Sequence, residues 1–149
     1  MSLTRREALG LTAGAAAFIT FGGQLAYAAA AETEEAIKAF SGGSMPASGK
    51  ISLDAPEIAE NGNTVPVSVS VDSPMTADNY VESVLILAEG NPSPAVATFH
   101  FTAMSGEAAA KTRIRLAKTQ NVIAVAKMSD GTTFMDKKEV KVTIGGCGG

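Results

Sequence analysis

An alternation of apolar and polar residues recurs through the chain after Lys50 and limits it to a narrow range of folds. Between Val65 and Val71 every second residue is valine, and Pro66, Ser68 and Ser70 fill the positions between them. Successive side chains of a β-strand point to opposite faces, so this period of two predicts strands with one apolar and one polar face. The same alternation recurs in residues 97–102, 113–116 and 140–144.

Two denser apolar runs and a set of turn signals complete the pattern. Residues 81–88 and 122–126 are apolar almost throughout, which is typical of central strands. Asp130-Gly131 lies between two strand-like runs and predicts a tight hairpin. Roughly seven short strands at this spacing predict an all-β domain over residues 50–144, an immunoglobulin-like antiparallel β-sandwich. The other turn signals are Asn61-Gly62, Asp72-Ser73-Pro74, Gly90-Asn91-Pro92 and Ser105-Gly106.

Residues 31–49 have a different pattern. Acidic residues open the stretch 32–40, and Ala36, Ile37 and Phe40 follow at helical spacing. Residues 41–44 read Ser-Gly-Gly-Ser, which is typical of a linker. We therefore expect a short N-terminal helix and a Gly/Ser linker before the β-domain.

The first thirty residues have the order of an export signal. Arg5 and Arg6 precede an apolar run over residues 9–21, and Ala26-Tyr27-Ala28, followed by three alanines, provides a small-x-small cleavage site. The paired arginines before a weakly hydrophobic run indicate the twin-arginine route, and hence a periplasmic protein. A membrane anchor fits less well, because the run is shorter than the ~20 residues that span a bilayer and contains polar interruptions. We expect residues 1–30 to be removed, leaving no membrane association.

Charge and residue types exclude several functional classes. The chain has 12 Lys and Arg and 15 Asp and Glu, so loss of Arg5, Arg6 and Glu7 leaves 10 and 14, a formal charge of −4. Such a balance argues against a nucleic-acid partner. His100 is the single histidine, whereas a blue-copper site needs two histidines and a cysteine, and no Ser-His-Asp pattern is present. These counts predict no catalytic residues, no metal and no cofactor.

Two arginines of one strand, Arg113 and Arg115, share a predicted face. A guanidinium matches the geometry of sulfate-like oxyanions. Pairs of this kind are more often part of a solvated sheet face, and we interpret them so.

The C-terminal tail holds the only cysteine, Cys147, between the pairs Gly145-Gly146 and Gly148-Gly149. Exported proteins usually pair their cysteines, so a single one indicates an intermolecular bond or a usable thiol. Glycines without side chains predict a flexible, exposed arm over residues 145–149, with a reach of roughly 10 Å from Gly145 to Cys147. An ordinary thiol, with a pKa of ~8.5, is a few per cent ionised at neutral pH. We therefore expect a covalent carrier that partner enzymes act on, and not an enzyme.

From about residue 51 onward the sequence resembles the SoxY family, the sulfur-carrying subunits of the bacterial thiosulfate-oxidising (Sox) system. The resemblance implies an immunoglobulin-like fold, sulfur attachment at Cys147 and an arm formed by the flanking glycines. It implies a SoxZ-like small β-protein as heterodimer partner, a haem-containing enzyme that loads thiosulfate, a manganese hydrolase and a sulfane dehydrogenase. The segments that carry it are residues 51–69, 84–101, 112–131 and 139–149.

Two other functions remain open at this stage. Ubiquitin-like sulfur carriers also end in Gly-Gly and hold sulfur as a thiocarboxylate on the last residue, here Gly149. Those carriers are cytoplasmic and alternate strands with a long helix, unlike the pattern of this chain. The other is a binding or structural module whose Cys147 forms an intermolecular disulfide.

Overall fold

Nine strands and one helix make up the part of the chain that the computed structural model describes, residues 29–146. The predicted signal with Arg5 and Arg6 and the tail residues Cys147, Gly148 and Gly149 lie outside the described residues. The helix α1 spans residues 29–41, and a 3-10 turn spans Ala103–Ser105. The strands are β1 (Ala47–Ser48), β2 (Ile51–Asp54), β3 (Ile58–Asn61), β4 (Val65–Val71), β5 (Val81–Ala88), β6 (Ala95–His100), β7 (Ala108–Ile114), β8 (Gln120–Met128) and β9 (Thr133–Ile144).

Two sheets form a β-sandwich, as the alternation predicts. The small sheet has the order β2-β4-β7, and the large sheet has the order β1-β9-β8-β5-β6, with β3 also pairing with β9. Most neighbours are antiparallel, but β1 and β3 run parallel to β9. The all-β, immunoglobulin-like prediction is confirmed. The two short parallel pairings were not part of that prediction.

The core between the sheets consists largely of the residues that the alternation assigned to the inner face. Val65, Val67, Val69 and Val71 of β4 are all buried, while Pro66 and Ser70 between them are exposed. From the large sheet, the inner residues of β5 and β8 pack against them. This apolar contact is the main source of stability of such a sandwich.

Helix α1 covers the other face of the large sheet. Its Ile37 is 3% exposed and packs in a cluster with Leu85, Leu87, Ile123 and Val125. This cover explains why residues 81–88 and 122–126 are apolar almost throughout, since these central strands are buried on both faces. The predicted helix is confirmed, and its described part, residues 29–41, includes the whole stretch 32–40.

Replacing Ile37 with alanine is expected to destabilise the fold by about 2–4 kcal/mol, because it leaves a cavity between α1 and the large sheet. Chemical denaturation of the mature chain measures the change in the free energy of unfolding. Lys38→Ala is the matched control, since its exposed pair with Glu34 at 3.8 Å contributes at most about 0.5 kcal/mol. Equal losses in the two variants would contradict the packing of this helix.

The predicted hairpin at Asp130-Gly131 is present between β8 and β9. Gly131 has a φ of 86°, a conformation that favours glycine. Asp130 accepts hydrogen bonds from the hydroxyl and the backbone N–H of Thr132 at 2.6 and 2.9 Å. Both hydrogen bonds lower the pKa of the Asp130 carboxyl, and the bond from the hydroxyl has the larger effect.

Candidate functional site

The candidate site is the end of the sandwich where the C-terminal tail leaves β9. The last described residues, Gly145 and Gly146, follow directly on Ile144. Gly146 is buried, and its N–H donates a hydrogen bond to the carbonyl oxygen of Leu116 at 2.9 Å. The root of the predicted arm is therefore bonded to the loop that follows β7.

Gly62, in the turn after β3, forms hydrogen bonds with both Ile144 and Leu116. Its N–H donates to the carbonyl of Ile144 at 2.7 Å, and its carbonyl accepts from the N–H of Leu116 at 2.8 Å. Together with the bond from Gly146 to Leu116, these contacts join three chain segments. We call the three residues Gly62, Leu116 and Gly146 the root clamp.

The root clamp leaves no room for a side chain at its glycine positions. A Cβ on Gly62 would overlap the carbonyl oxygen of Leu116 and lie 2.7 Å from the nitrogen of Gly146. A Cβ on Gly145 would overlap the carbonyl oxygen of Ala117. Since real Cβ atoms do not approach backbone atoms so closely, glycine here permits close contact between main chains.

The arm predicted over residues 145–149 begins at this junction. Of its two described residues, Gly145 is exposed and Gly146 is buried and bonded to the domain. A residue without a side chain can pack its backbone directly on another backbone. The sequence identifies the glycines of the tail. It does not show whether their conformational freedom or their small size matters at a given position.

Two buried polar side chains support the loop that carries Leu116. Asn91 donates from Nδ2 to the carbonyl of Arg115 at 2.8 Å and accepts at Oδ1 from the N–H of Ala117 at 3.0 Å. Gln120 donates from Nε2 to the same Oδ1 at 2.9 Å and accepts from the N–H of Gly90 at 2.7 Å. Sequence reasoning treated Asn91 only as part of a turn, and a buried asparagine leaves no further signal in the sequence.

The other residues that the sequence singled out lie on the surface. Arg113 and Arg115 are exposed, and Arg115 follows the end of β7 at Ile114. Arg113 and Lys111 line a shallow groove on the outer face of the small sheet. Neither arginine forms an ion pair with a carboxylate of residues 29–146. The interpretation as a solvated face agrees with this exposure.

His100, at the exposed end of β6, pairs with Ser83 of β5 in the sheet register. Within residues 29–146 no group of three or more His, Cys, Asp or Glu side chains is placed to hold a metal ion. No helix in this part of the chain is both long and apolar enough to cross a membrane.

Comparison with known proteins gives one family. The family described as "Sulfur oxidation protein SoxY" matches residues 37–147. The structure of the sulfur carrier protein SoxY from Chlorobium limicola f thiosulfatophilum is similar, with 37% identity, 77% of this chain and 99% of that chain covered, and a TM-score of 0.62. No curated protein matches the chain.

Superoxide reductases are similar in fold alone. The enzyme from Ignicoccus hospitalis is 21% identical over 63% of this chain and 80% of its own, with a TM-score of 0.56. A putative superoxide reductase from Thermotoga maritima is 17% identical over 62% of this chain and 84% of its own, with a TM-score of 0.54. The family match spans most of the chain, and the SoxY structure is matched over almost its whole length. The chain therefore belongs to the SoxY family.

Proposed function

We propose that this chain is a periplasmic sulfur carrier that holds thiosulfate-derived groups covalently on Cys147 and presents them to partner enzymes. The observation that carries the proposal is the family match, which runs through to residue 147, the cysteine itself. A similar structure at 37% identity is that of a protein named as a sulfur carrier. The single cysteine beside glycines fits this role, since an unpaired thiol in an exported chain is available for reaction.

The root clamp supports a carrier rather than an incidental tail. Gly146 is the residue before Cys147, and it is buried and bonded to Leu116. The thiol of Cys147 then lies one residue from a bonded part of the domain, which is a fixed base for the arm. A short arm on a fixed base presents its thiol to a partner within a small volume, which raises its effective concentration there.

Loading is an oxidative step, so it needs an electron acceptor. The thiol of Cys147 and thiosulfate form a new S–S bond, lose one proton and release two electrons, which a haem-containing partner accepts. The product is a cysteine S-thiosulfonate. Hydrolysis of its terminal S–S bond then gives sulfate, a proton and a cysteine persulfide. We assign this hydrolysis to a manganese hydrolase and oxidation of the remaining sulfur to a sulfane dehydrogenase.

We further propose that the chain acts as a heterodimer with a SoxZ-like small β-protein and is exported by the twin-arginine route. Folded export suits a pair in which only one subunit carries a signal, and Arg5 and Arg6 supply the twin arginine. The mature charge of −4 argues against nucleic acid as a partner.

The test is intact-protein mass spectrometry of the mature chain with its partner, incubated with thiosulfate and the loading enzyme. We expect an added mass that maps to the tryptic C-terminal peptide and is removed by a thiol reductant. An unmodified Cys147 under conditions in which a known carrier is loaded would overturn the proposal. Disulfide-linked dimers that resist loading would instead favour the module with an intermolecular bond.

The ubiquitin-like alternative receives no support from the fold. The described helix α1 precedes all nine strands of residues 29–146, and the strands follow one another without a long helix between them. The thiocarboxylate carriers alternate strands with such a helix. A mass increase on the terminal carboxylate of Gly149 would restore this alternative.

A further inference from the structure

We propose that Asn91 is a positioning residue for the carrier arm, acting through the segment 115–117 to fix the point at which the chain leaves the domain. The inference rests on the proposed carrier function, because it assigns a role to the place where the arm begins. Asn91 lies in the loop between β5 and β6, far from Cys147 in the sequence. Its side chain nevertheless belongs to the same hydrogen-bonded unit as Gly146.

The first step is the geometry around Asn91. Its side chain is bonded on both sides of Leu116, at 2.8 Å to the carbonyl of Arg115 and at 3.0 Å to the N–H of Ala117. The amide of Asn91 therefore holds the main chain on both sides of Leu116.

The second step concerns the opposite edge of the same segment. In sequence, the N–H and carbonyl of Leu116 lie between the two groups that bond to Asn91, and they form no bond with Asn91 themselves. Fixing the groups on both sides of Leu116 also fixes the direction of its own N–H and carbonyl. Those two groups bond to Gly62 at 2.8 Å and to Gly146 at 2.9 Å. The side chain of Asn91 thus sets the direction in which Leu116 offers its carbonyl to the arm root.

The third step is that the orientation of this amide is fixed. Asn91 is 4% exposed, and Gln120, 7% exposed, donates to its Oδ1 at 2.9 Å. Gln120 is held in turn by the N–H of Gly90 and the carbonyl of Lys118. The turn at this position is closed by the hydrogen bond from the N–H of Asn91 to the carbonyl of Ala88. Because the buried side chain is not needed for that turn, it can have a separate role.

The consequence follows from the cost of unpaired polar groups. Removing the Asn91 amide leaves the carbonyl of Arg115 and the N–H of Ala117 without their partners. The segment then moves toward water to satisfy them, and the carbonyl of Leu116 moves with it. Gly146 loses its anchor, and the free chain begins earlier, after Ile144. A longer, less directed arm spends less time at the entrance of any one partner.

The test uses the full mature chain, with a nitroxide spin label on Cys147, which is its only cysteine. Continuous-wave electron paramagnetic resonance measures the mobility of the label, and hydrogen exchange measures protection of the Gly146 amide. In Asn91→Ala we expect at least a twofold rise in the mobile fraction of the label and about tenfold faster exchange at Gly146. Asn91→Asp keeps the acceptor for Ala117 but places a second acceptor against the carbonyl of Arg115, so a rise is expected there as well.

Two controls separate positioning from general destabilisation. Asn121→Ala removes a nearby asparagine whose side chain donates a hydrogen bond to Glu89 at 2.8 Å instead of to residues 115–117. Leu85→Ala weakens the cluster under α1 and lowers the melting temperature without touching the root clamp. Well below each variant's melting temperature, both should match the label mobility of the unsubstituted chain.

Unchanged label mobility and Gly146 exchange in folded Asn91→Ala would overturn the inference, as would an equal change in either control. If Asn91→Ala does not fold, Asn91→Asp decides by the same two measurements. Neither measurement uses thiosulfate or a partner. A failure of sulfur loading in the unsubstituted chain would therefore count against the proposed function and not against the role of Asn91.

Discussion

Replacing Cys147 with serine is expected to abolish covalent sulfur loading completely while leaving the fold unchanged. In the proposed function the thiolate of Cys147 is the acceptor of sulfur. A serine hydroxyl is not ionised near neutral pH and forms no stable bond to sulfane sulfur. The sandwich and the root clamp consist of residues 29–146, so the melting temperature should stay within about 1 °C. Intact mass and thermal unfolding of the same preparation measure the two effects.

A relocated thiol provides the matched control. Ser44 is exposed in the segment between α1 and β1, so Ser44→Cys combined with Cys147→Ser keeps one accessible thiol on the same domain. We expect this double variant to react with a small thiol reagent and to remain unloaded by the enzymes. Equal loading at position 44 would show that the arm is not needed. Continued loading of Cys147→Ser alone would assign the cargo to another atom, such as the terminal carboxylate of Gly149.

The sandwich was predictable because its strands obey one local rule. The valines of β4 and the dense runs in β5 and β8 follow directly from which face of each strand is buried. Short strands escape this rule, since a period of two needs more residues than β1 has. The strands β1 and β3 pair with β9, which lies far from them in the sequence. Such a pairing depends on tertiary structure, and no local sequence pattern indicates it.

The sequence predicts the chemistry of the candidate site but not the support of the tail. The lone Cys147 between glycines predicts a usable thiol, and the family that this motif indicates is confirmed. The support of the tail root depends on contacts between residues far apart in the chain, such as Asn91 with Arg115 and Gly62 with Ile144. Asparagine and glycine both occur commonly in turns, so their local sequence context suggested turns and hid these contacts.

The root clamp itself should be sensitive to a single methyl group. In Gly62→Ala the new Cβ would overlap the carbonyl of Leu116 and lie 2.7 Å from the nitrogen of Gly146 and 2.9 Å from Val142. Two of these neighbours are backbone atoms, so relief requires the main chain to move and its hydrogen bonds to lengthen. We expect a loss of about 2–3 kcal/mol in the free energy of unfolding, measured by denaturant titration.

Asn63→Ala is the matched control for this variant, because Asn63 is the exposed neighbour of the buried Gly62. Its loss should stay within about 0.5 kcal/mol. Gly62→Ala should also speed hydrogen exchange at Gly146, since both residues bond to Leu116 and the clamp opens as a unit. A stable Gly62→Ala with a protected Gly146 amide would mean that the tail root does not pack against this turn. Loss of stability with protection retained would mean that Gly146 depends on the loop of Leu116 alone, and the turn after β3 would then have no part in directing the arm.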